Sequence, residues 1–203
     1  MSAFTDGILA IAVAEWGRFG NQTYDLGGAT THKGHKENEN GWFQRIGEYW
    51  RDGDTGHPDW NGLTPQPWSA AFISWVMKTG GAGARFNYSA QHSVYISRSI
   101  SDRLQGHEAG GFWGWRLNER KPAAGDLVCW SRQAGVDYDH QHGGDYLGHT
   151  DIIVSLGPTQ VEVIGGNVGN SVTRRPVPLT ADGFLQPFNE GGENVFALMQ
   201  NRI

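Results

Sequence analysis

The sequence predicts an α+β chain in which N-terminal helices pack on a C-terminal antiparallel β-sheet. Up to Leu104, apolar residues recur at three- and four-residue spacing, and beyond Pro122 short β-rich runs take over, separated by glycine or proline. The two textures segregate rather than alternate, which argues against βαβ units.

Phe4, Ile8, Ile11 and Trp16 mark a first amphipathic helix over residues 4–16, stopped by Gly17 and Gly20. Residues 21–40 hold His32, Lys33, His35, Lys36 and Glu37 without periodicity and are expected to form a long surface loop. Trp42, Phe43, Ile46, Tyr49 and Trp50 fit a second short helix. Residues 51–67, with Pro58, Pro65 and Pro67, form another loop. A buried helix then starts near Trp68. Trp68, Phe72, Trp75 and Val76 share one face, Pro67 suits the entrance and Gly80-Gly81 the stop, so Ser69 lies in the first turn. A fourth helix covers about 91–104, with Val94, Ile96, Ile100 and Leu104 as its apolar positions. Strands are expected at 125–130, 149–154, 160–164, 172–177 and 195–199.

The composition narrows the function classes. A chain of 203 residues is long enough for one domain with a real core, and one domain over 1–203 is expected. A net charge of −5 and no Lys/Arg run give no attraction to nucleic acid or to an anionic membrane. No run approaches the roughly 18 apolar residues of a membrane span, so membrane insertion is not expected. Asp6 and Glu15 interrupt the apolar N-terminal stretch, which lacks a basic lead-in and does not read as a signal peptide. The expectation is synthesis in the cytoplasm and, for work at the periplasm or cell wall, export by a non-classical route. The single cysteine, Cys129, cannot form an intrachain disulfide.

Acyl transfer needs a nucleophile, a base within hydrogen-bond reach, a group that orients the base, and donors for the oxyanion. Ser69 sits where a helix offers its positive dipole end and unpaired N–H groups. His149 opens a strand in which Thr150, Ile152 and Val154 form one face, so His149 and Asp151 project to the other. His149 is the candidate base. Asn167, in the Gly165-Gly166-Asn167 turn, is the first candidate to hold its ring, and Asp151 the alternative. His92, in the helix after that of Ser69, could face the cleft, but it reads first as a structural histidine. Trp68, Trp113 and Trp115 are candidate substrate-stacking surfaces. A competing chemistry is a metal site in the His/Asp-rich stretch from Asp137 to Asp151, with Asp139, His140 and His142 as ligands. No helical His-x-x-x-His spacing supports it, and no cofactor is expected.

Four motifs in order carry a resemblance: Pro67-Trp68-Ser69-Ala70-Ala71-Phe72, Gly125-Asp126-Leu127-Val128, Gly148-His149 before Ile152-Ile153-Val154, and Gly165-Gly166-Asn167. Over about residues 65–175 the chain resembles the papain-like CHAP/NlpC-type cell-wall amidases. The resemblance implies a papain-like fold and cleavage of an amide bond in peptidoglycan or a related peptide or acyl substrate. It also implies a phage-type lysin or a delivered antibacterial effector, with an inhibitory, immunity or secretion-machinery protein as partner. The departure is at the centre: those enzymes carry cysteine where this chain has Ser69, and Cys129 lies in a strand. Three readings follow from it: a natural serine branch of the amidases, an engineered Cys-to-Ser replacement, or a catalytically silent module that binds cell-wall glycan or peptide.

Overall fold

A computed structural model of the chain describes residues 2–203, apart from the side chain of His142. Four α-helices lie in the first half of the chain, α1 (Ala3–Arg18), α2 (Trp42–Asp52), α3 (Ser69–Thr79) and α4 (His92–Leu104), with two short strands between α1 and α2. The strands are β1 (Gln22–Tyr24), β2 (Thr30–His32), β3 (Phe112–Trp115), β4 (Leu127–Ser131), β5 (Gly148–Leu156), β6 (Gln160–Gly165), β7 (Thr173–Pro178), β8 (Asn189–Glu190) and β9 (Glu193–Asn201). They form one sheet in the order β2-β1-β7-β6-β5-β4-β9-β3, with β8 on β9. Among the described residues no helix is long and apolar enough to cross a membrane.

The sheet is mixed rather than purely antiparallel, because β1 runs parallel to β7. β1 and β2 come from the stretch expected to be loop. Each is three residues long, too short to show a period of two. Gln22 holds β1 in place: it is fully buried, and its amide donates to Val168 O (3.1 Å) and Thr173 Oγ1 (2.7 Å). β3 was also unanticipated. Its glycine-rich segment gains strand geometry by pairing along β9, from Phe112 opposite Asn201 to Trp115 opposite Leu198.

α1 starts on Ser2, whose hydroxyl accepts from Thr5 N (3.0 Å) and so satisfies a helix-end donor. α3 is the central helix, buried at every position from Ser69 to Met77. It ends at Gly80, where a Cβ would come within 2.5 Å of Ile8 Cγ2, so a glycine there lets α1 and α3 approach. The sheet separates two apolar layers. Leu127, Cys129, Ile152 and Met199 face the helices, whereas Val128, Trp130, Ile153 and Leu198 pack under Leu179, Leu185 and Phe188. Burial on both faces explains why β4 reads as an unbroken apolar run.

α1 and α2 are joined by a buried ionic contact. Arg45 donates to both Glu15 oxygens (2.9 and 2.8 Å), Tyr49 Oη donates to Glu15 as well, and the guanidinium lies over Trp75 at 4.5 Å. Removing Glu15 leaves the Arg45 guanidinium with the more exposed Glu48 and takes the acceptor from Tyr49, so part of a buried charge goes uncompensated. Glu15→Ala is therefore expected to cost about 3 kcal/mol, the low end for a broken buried pair, in urea unfolding. Asp52→Ala, at the exposed Arg51–Asp52 pair, is expected to cost less than about 1 kcal/mol. Equal effects of the two would contradict this account.

Candidate active site

Trp68 sets the start of α3. Its ring is almost fully buried between Phe19 and Tyr49, and its indole N–H donates to Glu37 Oε2 (2.7 Å). Asn167 completes the clamp. In the amide orientation that satisfies both ends, its nitrogen donates to Glu37 Oε2 (3.2 Å) and its oxygen accepts from Trp68 N (3.2 Å). Asn167 sits at φ 57°, a left-handed position that Asn tolerates better than most residues. Among the described residues no side chain caps α3, so its first-turn N–H groups have no side-chain acceptor.

α4 brings the partner. Ser74 Oγ, on α3, donates to Ser89 O (2.9 Å) and accepts from Ser89 N (3.1 Å), which pins the turn before α4 against α3. His92, the first residue of α4, then lies with Nε2 2.7 Å from Ser69 Oγ. Its Nδ1 is 3.0 Å from Thr150 Oγ1 and in close contact with Tyr95 Oη. Tyr95 follows at i+3, on the same face of the helix. Burial, with the neighbouring His149 and Arg132 acting in the same direction and Asp151 against them, holds the His92 imidazole well below its ordinary pKa and keeps it neutral. Burial pushes the Tyr95 phenol well up, so it stays protonated. For Nε2 to accept the Ser69 proton, the ring proton must sit on Nδ1, where Tyr95 Oη and Thr150 Oγ1 can both accept it.

Behind this pair lies a second buried arrangement. His149 Nε2 meets Asp151 Oδ1 at 2.8 Å, and Asp151 Oδ2 accepts from Arg175 at 2.8 and 3.2 Å. Arg175 also reaches Glu190 (3.1 Å) and Glu193 (3.3 Å) and stacks on Trp130 at 4.2 Å. Burial would raise the Asp151 carboxyl, but Arg175 and His149 outweigh it and hold it well below the carboxylate range. Gly165 makes room for the pair: a Cβ there would fall 1.7 Å from Asp151 Oδ1 and 3.0 Å from His149 Nε2. The His149 ring lies 5.0 Å from that of His92, centroid to centroid, and its Nδ1 is buried without a hydrogen-bond partner among the described residues.

The structure thus corrects several expectations. The imidazole that touches Ser69 belongs to His92, read from sequence as structural, and not to His149. His149 projects from the β5 face shared with Trp130, opposite to that of Thr150, and reaches the site only through the ring of His92. Asp151 holds His149, while Asn167 is occupied at the α3 start. No local pattern in the sequence marks His92 for this role, which depends on the turn pinned through Ser74 and on Thr150.

The site opens into a cavity of about 580 Å³. Trp50, His57 and Trp60 line one side, with His57 stacked on Trp60 at 3.8 Å, and Arg132, Asp145 and Leu147 line another. Trp68 belongs to the core instead. Trp113 and Trp115 lie on β3 outside this cavity, under the guanidinium groups of Arg202 (3.7 Å) and Arg103 (4.1 Å). In the His/Asp stretch, Asp139 pairs with Arg116 and His140 with Asp137 (2.8 Å); the side chain of His142 lies outside the described residues. Among the described residues no three His, Cys, Asp or Glu side chains converge as a metal donor set.

Fold and site together define an α+β protein with a hydroxyl–imidazole pair at an uncapped helix N-terminus, facing a pocket walled with aromatics. Residues 37–196 match the family described as "Uncharacterized protein conserved in bacteria (DUF2272)", and the chain belongs to that family. No curated protein and no solved structure matches it.

The neutral His92 makes stability depend on pH. An unfolded histidine takes up its proton near pH 6.5, whereas folded His92 resists it to well below that value. The stability present above about pH 6.5 is therefore lost as pH falls towards the folded pKa, by up to about 1.4 kcal/mol per pH unit. Asp126 acts in the opposite sense: burial raises its carboxyl to about 6, so its contribution grows as pH falls from there. His92→Gln leaves Asp126 unchanged, and the difference between the two proteins isolates His92. Urea unfolding between about pH 7.5 and 5 is expected to show the wild type losing stability faster than the variant. Parallel curves would contradict a neutral, buried His92.

Proposed function

We propose that this chain is a hydrolase that cleaves an amide bond by acyl transfer to Ser69, with His92 as its base. The observation that carries the reading is the 2.7 Å contact between Ser69 Oγ and His92 Nε2 at the buried end of the pocket. Serine is inert without a well-placed base, and this geometry supplies one. In the proposed reaction Ser69 Oγ attacks the carbonyl carbon as its proton passes to His92 Nε2. The oxyanion faces the N–H groups of Ser69 and Ala70 at the start of α3. His92 returns the proton to the leaving nitrogen, the C–N bond breaks, and water then attacks the acyl-serine with His92 again as base. Tyr95 and Thr150 hold the ring on Nδ1 throughout.

A base with a low pKa is always in its acceptor form at neutral pH but binds the proton weakly, so oxyanion stabilisation carries much of the rate. The substrate class is an amide in peptidoglycan or a related peptide. The four motifs shared with papain-like amidases support it, and so does the stacked His57–Trp60 pair on the pocket wall, backed by the buried Trp50, which suits the flat face of a sugar or peptide.

A fluorophosphonate probe tests the nucleophile without knowledge of the substrate. Labelling of the wild type at Ser69, none in Ser69→Ala, and labelling slowed by about 100-fold or more in His92→Gln are expected. Purified sacculi incubated with the same proteins test the substrate, with fragments read by mass spectrometry and release expected from the wild type alone. No labelling, together with release by Ser69→Cys only, would instead identify a silent module. Release that chelator abolishes and Ser69→Ala spares would identify the metal-dependent alternative.

A further inference from the structure

We infer that Arg132 anchors a carboxylate of the bound molecule, so that the amide presented to Ser69 lies close to a free carboxylate. The consequence for cleavage rests on the acyl-transfer reading; the binding does not.

Arg132 follows β4, and its N–H donates to Leu147 O (2.8 Å), extending the β4–β5 pairing to the rim of the pocket. Its side chain is only 31% exposed, and its Nε donates to Glu193, itself 15% exposed and braced by Arg175 (3.3 Å). One edge of the guanidinium is thereby fixed. Its two Nη groups have no acceptor among the described residues, and Arg132 lines both the Ser69 pocket and the neighbouring cavity walled by Tyr24, Arg175, Glu190 and Glu193. The charge is also close enough to Ser69's partner to help depress His92.

A planar donor fork, held by its Nε and open at Nη, matches the two oxygens of a carboxylate. Glu193 already offsets part of the charge, which favours a monoanion over a phosphate dianion. The other charged group on the pocket wall, Asp145, is exposed and makes no ion pair among the described residues, so water screens it more than it screens Arg132.

The test uses the Ser69→Ala protein, which keeps the pocket without turnover, and three probes followed by NMR titration: N-acetylalanine, N-acetylalaninamide and inorganic phosphate. N-acetylalanine is expected to bind about tenfold or more tightly than its amide, and more tightly than phosphate. Arg132→Gln should abolish that preference, with an unchanged melting temperature as the check on folding. If Arg132→Gln does not fold, Arg132→Lys is read instead; it keeps the charge but not the fork, and should lose most of the preference. Equal binding of acid and amide, a preference that survives these substitutions, tighter binding of phosphate, or no binding of N-acetylalanine up to about 20 mM would each overturn the inference. Failure of the hydrolase reading would show separately, as absence of fluorophosphonate labelling.

Discussion

Everything proposed for this chain depends on one hydrogen bond made out of water, between the hydroxyl of Ser69 and Nε2 of His92. In bulk solvent such a contact would be exchanged for water at little cost, but here both partners are nearly fully buried. Burial also keeps the imidazole neutral, and only a neutral imidazole can accept the serine proton. Desolvation, which opposes a charged site, is what preserves the acceptor.

The surrounding structure is arranged to keep those two atoms together. Glu37 and Asn167 fix Trp68, and with it the first turn of α3. Ser74 pins the residue-89 turn and thereby the start of α4. Tyr95 from within α4 and Thr150 from β5 converge on the far nitrogen of the ring, so helix and sheet both orient it. On the other face of β5, the His149–Asp151–Arg175 chain ties β5 to β7 and reaches Glu190 and Glu193 beyond it. Arg132, joined to Glu193, links that network to the pocket rim.

Much of the architecture was legible in the sequence, because long amphipathic helices and apolar strands announce themselves. Phe4, Ile8, Ile11 and Trp16 mark α1, and Leu127 to Trp130 read as a strand, which the structure shows to be buried on both faces. β1 and β2 were not legible, since three residues show no period and their pairing depends on Gln22 meeting partners at Val168 and Thr173. Ser69 was visible as a first-turn residue. His92 was not, because its role is set by a turn pinned through Ser74 and by a threonine 58 residues later in the chain, neither of which leaves a local pattern. Asn167 and Asp151 were both recognised as candidates, but their order depended on where the Gly165 turn delivers Asn167, which is a tertiary fact.

The most direct measurement is the ¹⁵N spectrum of His92 in the intact protein, followed between about pH 5 and 8. The account predicts a neutral ring across that range, with the proton on Nδ1 and Nε2 as an unprotonated acceptor. An imidazolium that titrates near the ordinary histidine value, or a proton resting on Nε2, would contradict it.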